Sequence, residues 1–273
     1  MHKIVFKEIL APNIKKIIVQ APLVAKKALP GEFVTIVINE KGERVPLTIV
    51  DSDKEKGVIS LIFQEVGKST FELGKLKVGE GILNLLGPLG KATEINKIGN
   101  IATVGGGVGI AEVFPVTRAL QQAGNKVFSI IGARNKELLI LEHQMQQVCD
   151  ELFITTDDGS YGRKGFVTDV LKDLMAQNKL DLVHAVGPVP MMRAVSELTR
   201  SPGIKTLVSL NPVMVDATGM CGSCRITVGG ETKFGCVDGP EFDGHLVDFE
   251  ELQKRLKLFL TQEKQAMEAA KDK

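Results

Sequence analysis

Tryptophan is absent from this 273-residue sequence, tyrosine occurs once, and aromatic residues amount to 5%. That scarcity excludes the rows of stacked aromatics on which single-stranded nucleic acids lie. An excess of positive charge is missing too: 34 Lys and Arg stand against 33 Asp and Glu, for a formal net charge of +1. Nucleic acid is therefore not an expected partner, since binding it takes a basic surface that neutralises phosphates. No stretch approaches the ~20 consecutive apolar residues of a membrane span. The opening MHKIVFKEIL lacks the apolar core of a signal peptide. The expected location is the cytoplasm, with no membrane. Cysteines stay reduced there, so a cluster of them points to metal or redox chemistry in preference to disulfides.

What is present is ordinary globular material, 44% hydrophobic and 25% charged, of a length suited to two domains or one large one. Residues 1–98 read as six short apolar runs separated by turn residues: His2–Ala11, Ile14–Ala21, Glu32–Ile38, Arg44–Val50, Val58–Glu65 and Ile82–Leu86. Their Val and Ile content and partial alternation predict a six-stranded antiparallel β-barrel, with one short helical turn near Thr70–Leu73 closed by Gly74. Residues 99–211 alternate strand and helix. The strands are Ile101–Val104, Val127–Ile131, Leu152–Thr155, Leu182–Val186 and Thr206–Leu210; the helices lie near Ala111–Ala123, Glu137–Val148, Phe166–Gln177 and Met191–Arg200. This pattern predicts an α/β domain with a parallel sheet, because each parallel crossover needs a helix to return the chain. Residues 212–247 are rich in Gly and hold three of the four cysteines. From Asp248, a plausible N-cap, a C-terminal helix is expected over 248–273, with Leu252, Leu256, Phe259 and Leu260 on one stripe.

The first parallel strand runs into Gly105-Gly106-Gly107-Val108-Gly109, and a helix follows. Glycines there let the backbone turn sharply and let a pyrophosphate approach N–H groups at a helix N-terminus. A tight strand-to-helix turn explains the run equally well when it is taken alone. Two further loops, Asp157-Asp158-Gly159 and Gly187-Pro188 with Met191, follow strands on the same edge, and Arg134 ends another. Their convergence favours a dinucleotide crevice. It does not decide between NADH and NADPH, because Arg134 favours a 2′-phosphate and the acidic pair repels one.

In the barrel, Arg44-Val45-Pro46-Leu47-Thr48-Ile49 sets a guanidinium and a hydroxyl beside one strand, and Gly67-Lys68-Ser69-Thr70 follows the next. A guanidinium suits a diphosphate, and a hydroxyl can donate to a flavin ring edge. Cys221 and Cys224 are separated by two residues, and Cys236 follows after eleven. Asp216 stands where a fourth cysteine would complete the plant-type C-x4-C-x2-C spacing. From spacing alone the set suits a 2Fe-2S cluster, a zinc site of three thiolates and a carboxylate, or three small buried hydrophobes. Cys149, apart from the rest, reads as a buried structural cysteine.

Together R-x-P-L-T, V-G-K-S-T, G-G-G-x-G and G-P-x-P-M resemble the ferredoxin-reductase-type flavoproteins, over nearly the whole chain. The resemblance implies a barrel that holds FAD through Arg44 and Gly67–Thr70, with Thr48 near the reactive ring nitrogen. Pro46, Leu47, Ile49, Phe63, Gln64 and Glu65 complete the flavin pocket on the same ground. Pro46 replaces a tyrosine common among relatives, and Glu112 replaces a proline after the glycine turn. A flavin beside the cysteines favours iron–sulfur over zinc, because zinc carries no electrons.

The segments V-D-A-T-G-M-C-G-S-C-R and F-G-C-V-D-G-P-E-F-D-G-H resemble more narrowly the small subunits of electron-bifurcating NADH-dependent reduced ferredoxin:NADP+ oxidoreductases and of sulfide dehydrogenases. The electron-transfer subunit of dihydroorotate dehydrogenase is similar, with cysteine at the position of Asp216. By this resemblance Asp216, Cys221, Cys224 and Cys236 hold a 2Fe-2S cluster, and NAD(H) exchanges hydride with FAD. The partner is then a larger subunit with its own FAD and 4Fe-4S clusters, in a heterodimer that meets ferredoxin indirectly. No acid–base side chain is expected. A non-catalytic regulatory subunit binding nucleotide and zinc is the alternative of another class.

Overall fold

The Val- and Ile-rich runs of the first 98 residues form antiparallel strands. The computed structural model describes residues 1–272. Its first sheet joins β1 (His2–Ala11), β2 (Ile14–Gln20), β3 (Phe33–Val37), β4 (Val45–Asp53), β5 (Val58–Gln64), β6 (Gly81–Ile82) and β7 (Asn84–Leu89) in the order β6-β1-β2-β5-β4-β3-β7. The run expected as a single strand, Ile82–Leu86, is split between the last two. Ile82 pairs with His2 at one edge and Asn84 with Val37 at the other, so one segment brings both edges to a nearly closed barrel. Ile4, Ile17, Ile36 and Leu61 fill its interior with no exposure.

Helix α1 (Pro22–Lys27), absent from the sequence reading, buries Val24 and Ala25 in that interior. Six residues are too few for a helical period to show. The helical turn expected at Thr70–Leu73 is the longer α2 (Lys68–Lys75).

The second sheet contains β8 (Asn100–Gly106), β9 (Lys126–Ala133), β10 (Glu151–Thr156), β11 (Arg163–Lys164), β12 (Leu182–Val186) and β13 (Thr206–Ser209), all parallel. A separate hairpin, β14 (Arg225–Val228) and β15 (Glu231–Phe234), precedes β16 (Glu241–Asp243), which joins the edge antiparallel to β13. Helix α3 (Gly109–Gln122) covers one face. The helix expected at Glu137–Val148 does not form. A 3-10 turn at Lys136–Leu138 and the short α4 (Glu142–Gln146) stand there, parted by Leu141 in the left-handed region at φ 57°. The interruption drops Ile140 and Met145 into the core. Helices α5 (Val167–Gln177) and α6 (Val189–Arg200) cover the other face.

Barrel and sheet share a core. Ala11, Ile14, Val50 and Ile62 pack with Ile110, Ala111 and Val113 of α3, and the Arg118 guanidinium donates to Asp51 at 2.8 Å. At the C-terminus Asp248 caps α7 (Phe249–Leu256), accepting the Glu251 N–H at 2.8 Å. The single helix expected from Asp248 breaks at Lys257–Phe259, and α8 (Leu260–Lys271) folds back against α2, where Lys75 Nζ donates to the Ala270 carbonyl at 3.2 Å. Of the expected stripe Leu252 is buried, whereas Phe259 and Leu260 are more than half exposed.

Candidate functional site

Strands β9 and β12 flank β8 on opposite sides, so the sheet order reverses at β8 and opens a crevice at its carboxyl end. Two glycines shape the turn. Gly107 takes φ 58° while its N–H donates to the Gly132 carbonyl at 2.9 Å. At Gly109 an added Cβ would lie 2.7 Å from the Val186 carbonyl carbon, so only glycine lets α3 start against β12.

Between this edge and the barrel lies a cleft of about 1200 Å³. Of the barrel residues named from the sequence, Pro46, Leu47, Thr48, Phe63, Gln64 and Thr70 line one side. The sheet contributes Gly106–Gly109, Arg134, Asp157, Gly187, Pro188 and Met191. Other expected residues have different duties. Ile49 belongs to the barrel core, and Glu65 is held by Lys15 at 2.5 Å. Gly105 lies beneath α3, where a Cβ would come 2.9 Å from the Ile110 Cα. Asp158 accepts hydrogen bonds from Ser160, which hold its carboxyl below the usual range, and Gly159 supplies the left-handed turn after it.

Four expected residues are not part of the cleft lining but border it in the chain: Arg44 precedes the lining residue Val45, and Gly67, Lys68 and Ser69 stand between Val66 and Thr70. Thr70 Oγ1 accepts the N–H groups of Val66 and Gly67, each at 3.1 Å, and donates to the Gly67 carbonyl. Its hydrogen is thus committed locally, and the first-turn N–H groups of α2, at Lys68 and Ser69, are the available donors. Beside Gly67 there is nothing within 4 Å of where a Cβ would stand. Arg44, just ahead of β4, buries Nη1 without a protein partner. Leaving such a donor unpaired costs about 1–3 kcal/mol, so an oxygen-rich ligand fits here.

Of the cleft residues that sequence reasoning missed, two are acidic. Glu263 arrives from α8, brought by a chain reversal that no local pattern announces. Glu112, noted only as a departure, lines the cleft half-buried, and burial pushes its carboxyl up to about 7.

In the cysteine segment two of the three cysteines meet. Cys224 and Cys236 are buried with their sulfurs 3.2 Å apart. Burial, and then the neighbouring Cys224, push the Cys236 thiol up to about 12. Cys221 is exposed, and N–H groups of Ser223 and Asp216 lower its pKa. Asp216 turns its carboxylate to the Thr218 hydroxyl and N–H. Among the described residues no three His, Cys, Asp or Glu side chains come together to hold a metal ion. The donor set still suits a cluster. The backbone is left-handed at Ala217, Gly219 and Gly222, the kind of turn that gathers N–H groups around an anionic centre, and three thiols with a carboxylate are donors that iron accepts. Phe33 packs against Cys224 and Cys236 while also lining the cleft. Cys149 is buried, as expected.

A buried pair fastens the segment to the sheet. His184 Nε2 lies 2.9 Å from Glu241 Oε1, and the Thr93 hydroxyl donates to the same carboxylate oxygen. Burial alone would raise the Glu241 carboxyl, but the His184 charge and these hydrogen bonds outweigh it and hold it low.

Comparison with known proteins agrees with this arrangement. Residues 103–197 match the oxidoreductase NAD-binding domain, and residues 211–248 match the iron–sulfur cluster binding domain of dihydroorotate dehydrogenase B. The chain is 47% identical over 264 residues to a dihydroorotate dehydrogenase B (NAD(+)) electron transfer subunit homolog of Thermotoga maritima, covering 97% of this chain and 93% of that one. It is 32% identical over 256 residues to the dihydroorotate dehydrogenase B electron transfer subunit of Desulforamulus reducens, covering 91% and 97%. Among solved structures it superposes on a chain of an NADH-dependent reduced ferredoxin-NADP oxidoreductase, studied for flavin-based electron bifurcation. The TM-score is 0.94 at 46% identity, over 98% of this chain and 97% of that one.

Proposed function

The chain belongs to the ferredoxin-reductase-type family that includes the electron transfer subunits of dihydroorotate dehydrogenase B, and from that premise we propose that it is the NAD(H)-handling subunit of an electron-bifurcating NADH-dependent ferredoxin:NADP+ oxidoreductase. We assign FAD to residues 1–98, NAD(H) to 99–211, the 2Fe-2S cluster to 212–247, and a tie between cluster loop and barrel to 248–273. When bound, these groups supply hydride exchange between NAD(H) and FAD and one-electron transfer through the cluster. The chain's own residues supply placement. Arg44 and the α2 N-terminus bind the FAD diphosphate, Thr48 offers its hydroxyl to the flavin edge, and the Gly107–Gly109 turn receives the dinucleotide pyrophosphate. Asp216, Cys221, Cys224 and Cys236 ligate iron.

One observation carries the reading: Phe33 lines the cleft and packs against the buried Cys224–Cys236 pair, so the cluster loop abuts the nucleotide cleft. Arg255 strengthens that seat by donating to the Ser223 carbonyl at 2.9 Å. The proposed partner is a larger subunit with its own FAD and 4Fe-4S clusters, in the cytoplasm, with ferredoxin reached through it. Exposed Val215, Met220 and Val237 rim the cysteine loop and give such a subunit an apolar landing. Among the described residues no helix is long and apolar enough to cross a membrane.

Anaerobically purified protein should show flavin and iron–sulfur absorption that NADH bleaches. A colourless preparation containing zinc would sink the proposal in favour of the regulatory alternative. A second reading, electron transfer for dihydroorotate oxidation, draws on the names of the curated relatives. Bleaching of the purified complex by dihydroorotate would select it.

A further inference from the structure

Glu112 is the only acidic residue of α3, in the first turn after the glycines. It lines the cleft with Thr48 and Gln64 of the barrel and with Gly107 and Met191 of the sheet. The helix N-terminus favours the charged carboxylate, yet desolvation prevails and leaves the carboxyl near 7. Several charges on the elements around α3 are paired with one another. Arg118 of α3 holds Asp51 of β4, and Lys56 pairs with Asp53 of the same strand. Lys126 of β9 pairs with Glu151 of β10, and His184 of β12 with Glu241. Arg134, Asp157 and Glu263 share the cleft. No ion pair or hydrogen bond offsets the burial of Glu112.

The proposed reaction leaves a proton to be placed. NADH yields NAD+, two electrons and one proton. A hydride would bring all of these into the cleft together, whereas an iron–sulfur cluster held by Asp216, Cys221, Cys224 and Cys236 would accept electrons alone, one at a time. One proton per NADH therefore remains. We propose that the Glu112 carboxylate takes up this proton as the two electrons leave singly, passes it to water at the cleft mouth, and works in reverse when electrons return. The inference rests on the function proposed above. A base that titrates close to neutral pH is the efficient choice for such exchange.

The test compares wild-type holoprotein with Glu112→Gln, which keeps the shape and removes the titration. Time-resolved infrared spectra of NADH-reduced wild type mixed with a one-electron acceptor at pH 8 should contain a transient protonated-carboxyl band that shifts with 13C-glutamate labelling and is missing in Glu112→Gln. After reduction by NADH, the rate of electron loss to a one-electron acceptor should show a break near pH 7 in wild type. In Glu112→Gln it should be flat and about 100-fold slower, and Glu112→Asp should restore a break. Flavin content and bleaching by NADH report that each variant is intact. A wild-type spectrum without a glutamate band overturns the proposal by itself, as does a wild-type pH profile in Glu112→Gln. If NADH bleaches the flavin normally while the band is missing, Glu112 alone loses its role; if NADH does not bleach it, the functional reading fails as well.

Discussion

The nucleotide cleft and the cysteine loop adjoin each other, yet they are built to different standards. The cleft stands on strands whose register is fixed and whose Ile101, Val104 and Ile130 are fully buried, so its walls form whether or not a ligand is present. The loop carries Met220 at 89% exposure, and of its four candidate ligands only Cys224 and Cys236 meet. A sheet is shaped by its own core, whereas a metal loop takes its final shape from the metal it binds.

The sharpest way to break the comparison is to remove a meeting ligand. Cys236→Ser is expected to abolish iron binding and to speed proteolysis around residues 213–223 at least about tenfold, while binding of NAD(H) to the cleft persists. Iron analysis and mass spectrometry of the fragments measure both, with Asp216→Ala expected to lose less iron. Next in size is the seam between the two regions. His184→Ala removes a hydrogen bond from the buried Glu241 carboxylate and should cost about 3 kcal/mol in urea unfolding; a loss under about 1 kcal/mol would mean the seam contributes little.

The smallest effect sharpens the cleft side. The folded pKa of Glu112, about 7, lies above its ordinary 4.5, so the stability it lends is present below that ordinary value and fades as pH rises toward 7. Glu112→Gln, neutral throughout, should match wild type near pH 4.5 and exceed it by about 2 kcal/mol at pH 8, after allowance for water in the cleft. Equal unfolding curves at pH 8 would contradict the pKa.

Much of this was legible beforehand for local reasons. The strand-glycine-helix succession at Ile101–Ala111 is a contiguous signal, and so is the spacing of Cys221 and Cys224. Helix α1 was illegible because six residues show no period. The expected helix at 137–148 failed because Ile140 and Met145 are drawn into a core that periodicity does not describe. The break at Lys257–Phe259 sends α8 back to α2, a contact between residues 75 and 270 that no window spans.

By itself the sequence determined the order of barrel, parallel sheet and cysteine segment, the glycines at the turn, and the residue types available to iron, all of which rest on neighbours in the chain. Only the tertiary structure decided that Phe33 joins the cleft to Cys224 and Cys236, that Thr93, His184 and Glu241 form one buried knot, and that Glu112 stands in the cleft held up by burial alone. Those facts depend on which distant surfaces exclude water together, and hydrophobic burial carries no record in the sequence of the partner it will find.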